Sequence, residues 1–151
     1  MVVDFVDPTW RPDRDEYLVS IAQVVSTRAT CTRLKVGALL VRDGRLLSTG
    51  YNGAPTGQPH CSHGDPDVVT SRHCLVSMHA EANAVVFAAR HGVATEGAHL
   101  VCTHAPCLGC SGLLINAGIR SVLYAWDYGD RNGVDRLAAA GIEIRQWNRS
   151  A

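Results

Sequence analysis

Hydrophobic and polar positions along the chain fall into helix-spaced and strand-spaced runs. From residue 13 to about 30, Tyr17, Leu18, Ile21, Val24 and Val25 recur at the spacing of one helical face, and Asp13, Asp15 and Glu16 suit the positive end of a helix dipole. Residues 36–41 and 46–51 are apolar runs separated by Arg42-Asp43-Gly44-Arg45; Asp-Gly is a strong two-residue hairpin signal, so they predict an antiparallel strand pair. An alanine-rich stretch at 76–90, with Ala80, Ala82, Ala84, Ala88 and Ala89, predicts a second helix stopped by Gly92. Further on, 98–103 reads as a buried strand, 107–117 as a helix opened by Pro106 and closed by Gly118, and 121–126 as a strand. A helix at 134–140, then Gly141, and a strand at 142–146 complete the pattern. Helices alternating with strands after a hairpin imply a mixed, here five-stranded, sheet covered by helices.

Two stretches lack periodicity. Residues 1–12 contain Pro8, Trp10 and Pro12 and predict an extended arm, with Trp10 pinning it to the body. After a sharp turn at Gly50-Tyr51-Asn52-Gly53-Ala54-Pro55-Thr56-Gly57, a loop continues to about residue 74, longer than a plain connection requires and so expected to be functional or ordered by a metal.

At 151 residues and 46% hydrophobic, the chain suits one domain spanning 1–151. Fourteen basic residues balance 14 acidic ones, so no field draws a polyanion, and a small-molecule substrate is expected rather than a nucleic acid. The N-terminal sequence has no signal-peptide pattern and no apolar run is long enough to span a bilayer, which leads us to expect a cytoplasmic protein without a membrane partner. Six cysteines in a reducing compartment suit metal thiolates better than disulfides, and all seven histidines lie between His60 and His104.

The residues that carry chemistry are His79-Ala80-Glu81 and Pro106-Cys107-Leu108-Gly109-Cys110. A catalytic zinc takes three protein ligands and keeps a fourth position for water, and His79, Cys107 and Cys110 supply three. Cys107 and Cys110 open an expected helix, whose unpaired N–H groups and dipole stabilise thiolates. Bound zinc brings the pKa of water to about 7. Glu81, two residues from His79, can take that water's proton and pass it on. The Ala80 N–H and the peptide around Ala105 are candidate contacts to a base. A lone Cys-x-x-Cys is more often structural or redox-active, but His-x-Glu with Pro-Cys-x-x-Cys is the pattern of zinc-dependent nucleobase deaminases.

Over about residues 17–147 the sequence resembles the cytidine deaminase superfamily and, within it, the deoxycytidylate (dCMP) deaminase family. The likeness lies in Arg28-Ala29-Thr30-Cys31, Lys35-Val36-Gly37-Ala38, the Gly50 to Pro55 loop, His79 to Ala84, Thr103 to Cys107 and Asn116-Ala117-Gly118-Ile119. It implies a three-layer α/β/α cytidine-deaminase-like fold and zinc-dependent conversion of dCMP to dUMP and ammonia, supplying thymidylate synthesis. It also implies that Asn52 and Tyr128 contact the substrate, both from exposed loops. The bland alternatives are a left-handed turn for Asn52 and simple packing for Tyr128.

The resemblance further implies a second, structural zinc on Cys31, Cys61 and Cys74, with His63 or His73 as fourth ligand; three buried free thiols are the alternative, and Cys102 reads as core. Arg33 and Lys35 are candidates for the phosphate. A homohexamer is implied, as is activation by dCTP with Mg2+ and inhibition by dTTP. The runner-up is a deaminase of another nucleobase, nucleoside or modified cytosine nucleotide. A non-catalytic scaffold of this fold is a third reading, opposed by the intact Glu81.

Overall fold

The computed structural model describes residues 7–63, 69–70 and 73–148. Its sheet starts from the expected hairpin. β1 (Gly37–Arg42) and β2 (Arg45–Tyr51) are joined by Asp43 and Gly44, at φ 50° and 74°. A two-residue turn with both centres at positive φ has the twist that antiparallel strands need. β1 then pairs antiparallel with β5 (His99–His104), beside which β6 (Ser121–Trp126) and β7 (Glu143–Gln146) run parallel. The five-stranded order is β2-β1-β5-β6-β7.

Side chains alternate between two cores across this sheet. Ala38, Leu40, Leu100, Cys102, Val122 and Tyr124 pack under α2 (Ala80–Arg90), α3 (Leu108–Asn116) and α4 (Asn132–Ala139). Leu39, Val41, Val101, Leu123 and Ala125 face α1 (Arg14–Ser26). The result is the three-layer α/β/α arrangement, and it explains why β1 is buried on both faces.

Several boundaries differ from expectation. α1 begins as expected, with Asp13 accepting from the Glu16 N–H, but ends at Ser26 instead of near residue 30. The Thr30 N–H donates to the Asn52 carbonyl, so a long-range bond draws the chain off the helical path. On α1, Tyr17 and Val24 are 50% and 62% exposed; seven residues apart, they lie on the outer side, and Leu18, Val19 and Ala22 form the buried stripe. α2 starts at Ala80 rather than 76, because Met78 exchanges both backbone hydrogen bonds with Gly53 and holds the preceding residues extended. The loop expected to be bare contains β3 (Val69–Thr70) and β4 (His73–Cys74), an antiparallel pair. In the N-terminal arm, residues 1–6 lie outside the described residues; Trp10 is 39% exposed, and local order comes from Asp7, which accepts from the Thr9 N–H and hydroxyl.

Two glycines allow the close approach of helices to the sheet and to the loop that leads into α3. A Cβ at Gly50 of β2 would lie 2.1 Å from the Ala80 carbonyl oxygen, in the first turn of α2. One at Gly133 of α4 would lie 2.1 Å from the Pro106 carbonyl oxygen. Neither obstacle is a flexible side-chain end, so backbone must move. We therefore expect Gly50→Ala to destabilise the fold by about 2 kcal/mol, the range for overpacking a close contact. Urea unfolding measures it, and an unchanged midpoint would show that β2 and α2 can part at no cost.

Candidate metal and catalytic site

The first turns of α2 and α3 meet at one point. His79 is the residue before α2, extended at φ −73° and ψ 152°, a correction to its expected place inside the helix. Cys107 caps α3, its sulfur accepting from the Cys110 N–H at 3.5 Å, and Cys110 lies one turn further in. His79 Nδ1 is 3.4 Å from each sulfur. Zinc bonds of about 2.3 Å to sulfur and 2.0 Å to nitrogen, at a tetrahedral angle, put those atoms roughly 3.5 Å apart. The three residues sequence reasoning singled out as ligands are thus brought together at zinc-binding separation.

The electrostatics of the triad also fit a cation. The Cys107 thiol is held down to about 3 by hydrogen bonding from Cys110, with His79 adding to the effect. Cys110 is pushed the other way, first by the sulfur of Cys107 beside it and then by burial. Two sulfurs this close resist ionising together, and a positive ion at the centre relieves that opposition. His79 is raised above its usual range chiefly by Cys107.

Glu81 is 4% exposed, on the same first turn of α2. Burial pushes its carboxyl up to about 7, against the opposing pull of its own backbone N–H and then of the His79 ring. It lies beside Cys110 rather than among the ligands, so its carboxyl is left for proton transfer.

A small cavity opens over these groups. Ala80 and Ala105 line it as expected. The Ala80 N–H, at the start of α2, has no acceptor inside the helix, whereas the Ala105 N–H is already donated to the Trp126 carbonyl. Asn52 also lines it but is 7% exposed, not the exposed loop residue the sequence suggested. Its Oδ1 accepts from the Val36 N–H and its Nδ2 donates to the Leu34 carbonyl, each at 2.7 Å, and its φ is not positive, which removes the left-handed-turn alternative.

Tyr128 lines both this cavity and a neighbouring outer cleft, and packs against the core as well. Its hydroxyl is raised by burial, partly offset by the positive charge of Arg33. Arg33 lines the same two spaces, so it stands at the mouth; Lys35 is exposed and lines neither. His104 lines the cavity too. Sequence reasoning had assigned it nothing, although strand alternation from Leu100 and Cys102 would have aimed it at this face.

A second cluster adjoins the cavity. The ligand atoms of Cys31, Cys61, His63 and Cys74 all lie within 4.8 Å of one another. His63 Nε2 is 3.3 Å from the Cys31 sulfur and 3.2 Å from that of Cys61. Burial opposes ionisation of Cys31, but the Leu34 and Arg33 N–H groups outweigh it and lower its pKa; burial and the neighbouring thiols push Cys61 up to about 11. The side chain of His73 lies outside the described residues. Cys102 is buried core, as expected.

Comparison with known proteins gives this arrangement a context. The chain is 41% identical to the deoxycytidylate deaminase of Mycobacterium phage D29, over 76% of this chain and 95% of that protein. It is 35% identical to that of Schizosaccharomyces pombe over 95% of its own length, yet spans only about half (47%) of the yeast protein. Its structure superposes on the dCMP deaminase of cyanophage S-TIM5, solved with dCMP and dUMP, with a TM-score of 0.82 and 34% identity, covering 91% of this chain and 99% of that one. Residues 12–126 match the cytidine and deoxycytidylate deaminase zinc-binding region, and the chain belongs to that family.

Proposed function

We propose that this protein hydrolyses dCMP to dUMP and ammonia, supplying thymidylate synthesis. The observation that carries this is a buried carboxyl, Glu81, set beside a zinc-spaced His79-Cys107-Cys110 triad in a cavity with one arginine at its mouth. His79, Cys107 and Cys110 would hold a zinc ion, which would bring the pKa of a water at its open position near neutrality. Glu81 takes the first proton of the attacking water and gives it to the pyrimidine ring nitrogen, then takes the second proton from the new hydroxyl on the ring carbon and delivers it to the leaving amino group. Water and dCMP become dUMP and ammonia, and the carboxyl ends as it began. The Ala80 N–H and the Ala105 peptide contact the base, Asn52 and Tyr128 wall the sugar, and Arg33 meets the 5′-phosphate.

The 151 residues act as a single domain under this reading, in the cytoplasm, where the six cysteines stay out of disulfides. Among the described residues no helix is long and apolar enough to cross a membrane. Assembly as a homo-oligomer, a hexamer by resemblance, suits the exposed apolar side chains of Leu46, Val86 and Phe87. Effector control by dCTP with Mg2+ and by dTTP would act through that assembly. A structural zinc on Cys31, Cys61, His63 and Cys74 would tie the loop to the cavity wall.

Ammonia release over cytosine, adenine and guanine nucleobases, nucleosides and nucleotides tests the substrate: dCMP should turn over fastest, and preference for another member of the panel would refute the assignment. Arg33→Ala should raise KM for dCMP about tenfold, the scale of one charge-assisted hydrogen bond, and leave deoxycytidine unaffected. Glu81→Gln should keep its zinc and lose turnover. In the metal-free protein Glu81 holds its proton more tightly folded than unfolded, since its pKa rises from 4.5 to about 7. Its contribution to stability is complete below pH 4.5 and lost as pH rises through 7, so the glutamine variant should gain up to about 3 kcal/mol over wild type at pH 8 and nothing at pH 4. Equal urea midpoints at pH 8 would contradict that. Zinc analysis should find two ions per chain, falling to one in a Cys61→Ala, Cys74→Ala double variant; one ion in both would remove the second site.

A further inference from the structure

His104 is the last residue of β5, and the alternation that puts Leu100 and Cys102 beneath α2 and α3 carries it to the same face. There it lines the cavity with Glu81, Asn52 and Tyr128. Its ring tilts against that of Trp126, its register partner across the parallel β5 and β6 pair, with centroids 5.3 Å apart. No step of the deamination reaction uses it.

Counting hydrogens places the proton on this ring. Thr103 is 1% exposed; its Oγ1 accepts from the Gly37 N–H at 3.2 Å and lies 3.0 Å from His104 Nδ1. The hydroxyl has one hydrogen, and among the described residues Nδ1 is its one acceptor. A proton on Nδ1 would aim two donors at the threonine oxygen and leave a buried hydroxyl hydrogen without a partner, which native interiors avoid. Thr103 therefore donates to Nδ1, and the ring hydrogen sits on Nε2. Burial keeps the ring neutral by lowering its pKa. No described residue accepts from Nε2.

We propose that His104 is a substrate-contacting residue whose neutral Nε2–H donates to an oxygen of the bound nucleotide, fixed in direction by Thr103 and Trp126. This rests on the nucleotide deaminase reading above. A neutral donor recognises an oxygen without placing a second proton-transfer group beside Glu81. The oxygen belongs to the base carbonyl, the sugar hydroxyl or the phosphate, and the experiment separates them.

Wild-type turnover of dCMP is measured first, and its absence defeats the dCMP assignment without bearing on His104. Given turnover, His104→Leu should raise KM for dCMP about tenfold with kcat within about twofold, the effect of losing one hydrogen bond in the bound state. His104→Gln, which retains an N–H donor, should recover most of that loss. Deoxycytidine lacks the phosphate and 2′,3′-dideoxycytidine monophosphate lacks the 3′-hydroxyl; whichever makes wild type and His104→Leu alike identifies the oxygen, and a persisting difference with both assigns the base carbonyl. An unchanged KM in His104→Leu, or a glutamine variant no better than leucine, overturns the proposal. Nitrogen NMR of the wild-type protein provides a second readout should the variants fail to fold: the Nε2–H tautomer is expected, with its proton moving downfield when dUMP binds. The Nδ1–H tautomer, or no movement with dUMP, overturns it equally.

Discussion

Two helix N-termini must point at one spot if His79 and the Cys107-Cys110 pair are to share an ion, and most of the fold derives from meeting that demand. Unpaired N–H groups and aligned peptide dipoles at the start of α3 favour the thiolate that a metal needs. The start of α2 supplies the histidine and, two residues on, a carboxyl buried deeply enough to hold its proton near neutrality. Glycines make room around both. Gly50 lets α2 settle on β2, and Gly133 lets α4 press against Pro106, the residue that leads into Cys107.

The same placement sets the charge balance of the site. Two sulfurs, one imidazole and one buried carboxyl form a group of acceptors that is unfavourable without a cation and well matched to one. Stability is given up here for chemistry, as buried ionisable groups at functional sites commonly require. A zinc ion held here would link metal binding and folding through the same few atoms.

Much of this was legible in the chain because short-range patterns encode it. Asp43-Gly44 specified the hairpin, the alternation of apolar residues specified the strands, and the His-x-Glu and Pro-Cys-x-x-Cys pattern marked His79, Cys107 and Cys110, which the fold brings together. What escaped were features decided at long range. The end of α1 depends on Thr30 bonding to Asn52, and the start of α2 on Met78 pairing with Gly53, partners over twenty residues away. Asn52 read as an exposed turn residue because it stands in a glycine-rich stretch, yet its amide is buried against Leu34 and Val36. His104 drew no attention among the surrounding histidines, since its role comes from Thr103 and Trp126 rather than from a motif.

Asn52 also governs the mechanics of the rim. Irregular backbone is ordinarily the softest part of a domain, because few bonds hold it. Between residues 30 and 36 the chain has neither helix nor strand, but Asn52 makes four hydrogen bonds to it, two through its amide and two through its own backbone. The segment is cross-linked as densely as a paired strand, and it carries Cys31 and Arg33. The rim of the cavity is in effect a braced backbone, held by one buried amide instead of by secondary structure.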